Sequence, residues 1–308
     1  MAECLGFIRY LYLKALVAIS RFLLKLLAPT PSSKPDFALR IPSRDKSRVI
    51  KVHVYKPRAE ENAQSKPAPV LINLYGSGLA IPLHGADDDF CRLIAATTGH
   101  VVLDVNYCLA PEYPFPNALN DIEDALKYVL DRPTEYDPSQ ISISGFSSGG
   151  TLALAASTIL PLGTFQSLIA FYPATNLYQD PSLRKAPVWG GKDRSPFWTK
   201  IFRESYIRGM DARDPRISPA FADTTKFPSR ILIVTGELDA SAVEAEELAE
   251  KARDEGRSVG REVVVRRMKG CGHAFDKKLT GETVVSARKE TYELAAEVLR
   301  KSQEVSGQ

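Results

Sequence analysis

From Arg48 to Tyr55 apolar and polar side chains alternate, the period expected of a strand with one wet face. Further along, the apolar runs lose that alternation. Pro69–Tyr75 (PVLINLY), His100–Tyr107 (HVVLDVNY), Ile141–Gly145, Ser167–Pro173 (SLIAFYP) and Arg230–Gly236 (RILIVTG) are short and almost wholly apolar, as strands buried on both faces should be, and Arg261–Met268 (REVVVRRM) completes the set. Between them the pattern predicts helices at Asp87–Thr98, at Asn117–Leu130 with Ile122, Ala125, Leu126 and Val129 on one face, in the alanine- and leucine-rich stretch after Gly150, at Ala242–Ala252 and from about Thr283 to Lys301. Strand and helix alternate through the second half, which predicts an α/β fold: a mostly parallel sheet with helices on both faces. The strand-to-helix loops of such a sheet share its carboxyl edge, where ligands bind.

Three stretches stand apart. Residues 28–37 (APTPSSKPDF) read as a linker, because proline excludes continued helix. Residues 179–227 lack a clear strand, carry Trp189, Phe197, Trp198 and Phe202, and read as an insertion with one or two helices. The first 28 residues are apolar but interrupted by Arg9, Lys14, Arg21 and Lys25, so no uncharged run approaches the ~18 residues of a spanning helix. Nor do they resemble a secretory signal, since charges cut the apolar region and no small-residue cleavage site comes after it. On a helical wheel Lys14, Arg21 and Lys25 share one side, and the remaining circumference must be buried. Two places could bury it: the protein's own active-site mouth, or a membrane interface. The expected organisation is an N-terminal helix and linker over residues 1–45 and one α/β domain over 46–308, with its insertion at about 179–227.

Composition changes this picture little. The chain has 308 residues, 44% of them apolar, and a formal charge of +3 with both signs interleaved, which gives no nucleic-acid surface. Cys4, Cys91, Cys108 and Cys271 are widely spaced and lack histidines at zinc spacing, so they read as reduced thiols in an intracellular setting rather than as a metal site.

The chemistry concentrates at Gly145-Phe146-Ser147-Ser148-Gly149, between an expected strand and an expected helix. A G-x-S-x-G sequence in that context forms a sharp turn that presents its serine at a helix amino terminus, where backbone N–H groups favour developing negative charge. Ser147 is therefore the candidate nucleophile. A serine hydroxyl needs a base, and there are four histidines. His53 and His100 fall within strands and read as structural, whereas His84 comes after a glycine turn and reads as solvated or substrate-facing. His273, in the glycine-bearing loop after Met268, lies at the same sheet edge as Ser147 and is the candidate base. Asp239, just past the strand ending at Gly236, is the candidate to orient it, with Glu237 and Glu244 as rivals. The order Ser147, Asp239, His273 is the order expected of the nucleophile-elbow fold. The backbone N–H of Ser148, with those of Ser77 and Gly78 in the turn Tyr75-Gly76-Ser77-Gly78, could form an oxyanion hole. No metal or organic cofactor is required.

Four blocks, spread over roughly residues 70–299, resemble the hormone-sensitive-lipase branch of the α/β-hydrolases, which includes bacterial carboxylesterases and arylacetamide deacetylase-like enzymes. Tyr75-Gly76-Ser77-Gly78 is similar to the branch's His-Gly-Gly-Gly loop, and residues 104–116 (DVNYCLAPEYPFP) to its Asp-Tyr-Arg-Leu-Ala-Pro-Glu block. Residues 145–150 resemble Gly-Asp-Ser-Ala-Gly-Gly, and Asp239 with His273-Ala274-Phe275 resembles its acid and its His-Gly-Phe. Tyr75, Ser77, Phe146 and Cys108 depart from the pattern without removing a catalytic atom. The resemblance implies the α/β-hydrolase fold with a helical cap made from the N-terminal segment and the insertion. It also implies a serine hydrolase acting on a carboxylic ester of a small or medium-sized molecule. The blocks are most similar to fungal members, several of which serve secondary-metabolite or toxin pathways. An amidase, lactonase or thioester-cleaving enzyme would use the same triad, and a small-molecule receptor on a dead hydrolase fold would tend to lose the serine or the histidine. Expected partners are the ester itself and, through residues 1–28, a membrane surface touched peripherally.

Overall fold

The structure, a computed structural model, describes residues 2–27, 32–57, 67–188, 195–278 and 280–306. Part of the expected linker (28–31), most of the loop after Lys56 (58–66) and Trp189 lie outside them. Eight strands, β1 Phe37–Pro42, β2 Val49–Tyr55, β3 Ala68–Leu74, β4 Val101–Asn106, β5 Tyr136–Phe146, β6 Ser167–Phe171, β7 Arg230–Gly236 and β8 Glu262–Met268, form one sheet in the order β1-β2-β4-β3-β5-β6-β7-β8. The β1–β2 and β2–β4 pairs are antiparallel and all the others parallel. β1 has no counterpart in the sequence pattern. Its residues are mostly exposed, among the described residues it pairs with β2 alone, and its alternation of Phe37, Leu39 and Ile41 with Ala38, Arg40 and Pro42 spans only six residues directly after the proline-rich stretch.

The side-chain alternation of strands divides the core in two. Val70, Ile72, Leu103, Ile143 and Ile233 point to the face covered by α3 (Asn117–Leu130), α4 (Ser148–Ile159) and α6 (Ala242–Glu255). Leu71, Val102, Ile169 and Leu232 point to the other, covered by α2 (Asp88–Thr98) and α7 (Glu282–Ser306). That two-sided burial is why the apolar runs are unbroken. The insertion holds no strand among its described residues; it is built of short 3-10 turns and one helix, α5 (Pro196–Ile207). The N-terminal helix α1 (Ala2–Leu27) lies against α5, where Leu13, Val17, Ala80 and Ile201 form a satellite cluster with Leu16, Trp198 and Phe202. No helix among the described residues is long and apolar enough to cross a membrane.

His100 sits at the foot of β4, wholly buried, its Nδ1 2.8 Å from Thr98 Oγ1. Burial pushes its pKa down to about 4. The unfolded chain, with an ordinary histidine pKa near 6.5, then binds a proton that the folded chain refuses between pH ~6.5 and ~4. Stability from this group is complete above the unfolded pKa and falls as pH drops through that window, by up to roughly 3 kcal/mol. His100→Gln is expected to flatten the dependence of the urea midpoint on pH over this range.

Candidate functional site

Four strands deliver the candidate residues to one sheet edge. β5 runs directly into Ser147, which takes a left-handed backbone (φ 51°, ψ −118°) and caps α4. The turn is possible because its glycines lack Cβ atoms: a Cβ on Gly145 would stand 2.3 Å from the backbone of Gly149, and one on Gly149 would stand 2.0 Å from the carbonyl of Leu74. The strained serine is thus wedged between β3 and its own helix, a conformation that the surrounding backbone over-determines.

Asp239 comes just after β7 and His273 just after β8. The His273 Nδ1–H donates to Asp239 Oδ2 at 2.7 Å, and the Ser147 hydroxyl donates to His273 Nε2 at 2.8 Å. The carboxylate, an acceptor, sets the tautomer that leaves Nε2 free to receive the serine proton. Asp239 is itself fixed by the N–H of Ser241, 2.9 Å from Oδ1. Both rival acids have other duties. Glu237 accepts from the N–H of Gly270 at 2.8 Å, and Glu244 accepts from that of Thr175 at 2.8 Å and pairs with Arg184.

The expected oxyanion donors are also neighbours, with one complication. Among the described residues no hydrogen bond takes the N–H of Gly78 or of Ser148. The N–H of Ser77 donates to Ser148 Oγ at 2.9 Å. The turn is held by hydroxyls: Tyr107 OH donates to the carbonyl of Tyr75 at 2.6 Å and lies 2.7 Å from Ser77 Oγ, which in turn accepts from the N–H of Leu79 at 2.9 Å. Tyr75 is buried, stacks on Tyr107 at 4.7 Å and donates to Asn106 Oδ1 at 3.2 Å. Tyr107 lies inside the conspicuous block at residues 104–116, but nothing in that pattern marks its hydroxyl as the brace. Tyr107→Phe is expected to lower kcat about tenfold with KM little changed, because the donors lose their aim. It should also cost roughly 1–2 kcal/mol by leaving a buried carbonyl without its donor, readable by urea titration.

The reading of His84 needs correction. It is neither solvated nor part of the cavity beside Ser147; its ring packs on His53 at 3.9 Å and its Nε2 lies 3.0 Å from the carbonyl of Asp104. A glycine turn does not by itself expose the residues after it, and here Asp104 draws the imidazole inward. His53, His84 and Asp104 are the one group among the described residues whose ligand atoms, all within 4.8 Å of one another, could share a cation. Two of the three side chains have protein partners already: His53 Nδ1 lies 3.0 Å from Ser33 Oγ, and His84 Nε2 is taken by the Asp104 carbonyl.

The Ser147–His273 pair opens into a cavity of about 430 Å³ walled by Leu24, Leu79, Ile81, Trp198 and Phe202. Its lining also carries a charge network that sequence reasoning missed. Lys277, four residues past His273, reaches Asp87 (2.6 Å) and Asp276 (2.8 Å), and its ammonium lies 4.0 Å from the Phe146 ring centre. Burial disfavours its charge, but the two carboxylates outweigh that and hold its pKa well above the ordinary value. Phe146, where the resemblance expects an acid, packs flat on Phe171 and beneath this cation. Cys91, Cys108 and Cys271 are free thiols.

Residues 71–277 match the family described as alpha/beta hydrolase fold. The chain is an α/β-hydrolase. Among curated relatives it is 28% identical to lipase 2 of Moraxella sp. over 258 residues, covering 71% of this chain and 57% of that one. It is also 28% identical to ethyl acetate hydrolase of Pseudomonas putida over 213 residues, covering 65% and 64%. The match thus spans less than two thirds of either relative. Among solved structures, an esterase of Pyrobaculum calidifontis superposes on this α/β-hydrolase with a TM-score of 0.75 at 25% identity, covering 94% of this chain and 92% of that one.

Proposed function

We propose that this α/β-hydrolase cleaves carboxylic esters of small or medium-sized molecules through an acyl-Ser147 intermediate. The observation that supports it is the relay from Ser147 through His273 to Asp239 at the floor of an apolar cavity. Ser147 Oγ attacks the ester carbonyl as His273 Nε2 takes its proton, and the buried carboxylate of Asp239 stabilises the imidazolium. The tetrahedral oxygen receives the N–H groups of Gly78 and Ser148, and that of Ser77 once the Ser148 hydroxyl turns away from it. Collapse expels the alkoxide, which leaves as the alcohol with the proton from His273. Water, deprotonated by the same imidazole, then releases the acid and restores the serine. The names of the relatives, an ethyl acetate hydrolase and a lipase among them, agree with ester chemistry.

In this reading α1 and the insertion around α5 act as the cap. They supply Leu24, Trp198 and Phe202 to the cavity and exclude water from the reacting atoms. A cavity of about 430 Å³ suits short and medium acyl groups. The likeness of the sequence blocks to fungal members supports a step in secondary-metabolite or toxin chemistry. The experiment is turnover of p-nitrophenyl esters of rising chain length, with an anilide, a lactone and a thioester beside them. Maximum kcat/KM on a short or medium ester is expected. A maximum on a long-chain ester contradicts the size assignment, and preference for the anilide, lactone or thioester contradicts the ester assignment.

A further inference from the structure

Helix α1 is arranged inside out for a helix in water. Its buried stripe is narrow, Leu13 and Val17 with Ser20, and its arginines face the protein. Arg21 donates to the carbonyls of Ala80 (2.8 Å) and Ala110 (2.9 Å) and pairs with Glu112 (3.1 Å), while Arg9 pairs with Glu204. The opposite arc is apolar and bare. Ile8, Leu11, Ile19, Phe22, Leu23 and Leu26 are all exposed, Phe22 by 61% and Leu26 by 65%. At 100° per residue these side chains share one side of the helix, and the exposed Lys14 and Lys25 sit together along one edge of that side. Among the described residues neither lysine has a carboxylate partner. A contiguous apolar face of this extent on a soluble protein marks something that covers it.

We propose that α1 docks this face on an anionic lipid bilayer, lying in the plane of the interface. An apolar arc edged by exposed lysines is the form that inserts among acyl chains while its ammonium groups meet lipid phosphates and carboxylates. The same helix borders the cavity with its protein-facing side: Leu24 lines the cavity, and α1 packs on the same Trp198 and Phe202 that wall it. Docking therefore holds the cavity one helix away from the bilayer. The docking itself does not rest on the ester reading, because the test reads binding directly.

The test is co-sedimentation of the full chain with phosphatidylcholine vesicles, with and without about a quarter phosphatidylserine. Wild type is expected to bind the anionic vesicles more tightly, and less so as salt rises. I19E/F22E alters two exposed residues outside the cavity. It is expected to lower the bound partition coefficient at least about tenfold while keeping wild-type turnover of p-nitrophenyl acetate in buffer and a wild-type melting midpoint. Absence of binding by wild type, equal binding to neutral and anionic vesicles, or full binding by the double variant overturns the proposal. So does gel filtration showing a dimer that the double variant splits while vesicles bind neither protein, since a second copy would then be the occupant.

Discussion

Ser147→Ala is expected to reduce ester turnover by about six orders of magnitude, the loss seen when a serine nucleophile is deleted from a triad. Nothing nearby can replace it. Ser148 Oγ is engaged with the N–H of Ser77 at 2.9 Å, whereas Ser147 Oγ alone is held by His273 Nε2 at 2.8 Å. The fold should survive, because alanine keeps the Cβ at this left-handed position and loses a single hydrogen bond. A melting midpoint within a few degrees of wild type, from a change on the order of 1 kcal/mol, would accompany the lost activity. Residual turnover within about tenfold of wild type would show that another group attacks the ester.

The second large effect belongs to Asp239→Asn. An amide of the same size can offer its N–H₂ to His273 Nδ1, which then accepts, and Nε2 carries the proton it should receive. The expected loss is roughly three to four orders of magnitude in kcat, with KM changed little. Glu237→Gln should leave kcat within about threefold, since its carboxylate braces Gly270 rather than the imidazole. Steady-state kinetics on one soluble ester, run for both variants, separates the two acids. Equal losses would mean that Asp239 is not the acid that orients His273 by itself.

Much of this arrangement is legible in the chain because one physical cause produces each signal. Strands buried on both faces read as continuous apolar runs, so the parallel strands from β3 to β7 are visible from composition along the chain. Ser147 is visible because a strand-to-helix turn this sharp tolerates no Cβ at Gly145 or Gly149. Asp239 and His273 are legible from their places after β7 and β8. The hidden features depend on distances that sequence spacing does not carry. β1 escapes notice because its alternation of Phe37, Leu39 and Ile41 is only six residues long and abuts the proline-rich stretch that reads as a linker. Lys277 escapes notice because Asp87, which with the adjacent Asp276 holds it charged, lies far away along the chain. His84 misleads because only the structure brings Asp104 beside its loop. The bond between Ser77 N–H and Ser148 Oγ joins residues 71 positions apart, and no pattern along the chain announces it.

The central claim is that the residue at position 147, and not its neighbour, forms the covalent bond with substrate. Labelling the wild-type protein with a fluorophosphonate, then tandem mass spectrometry of the peptide that spans residues 145–150, measures that bond directly. The account predicts a phosphonyl adduct on Ser147 and an unlabelled Ser148. An adduct on Ser148, or a fully unmodified peptide from protein that still turns over ester, would contradict it.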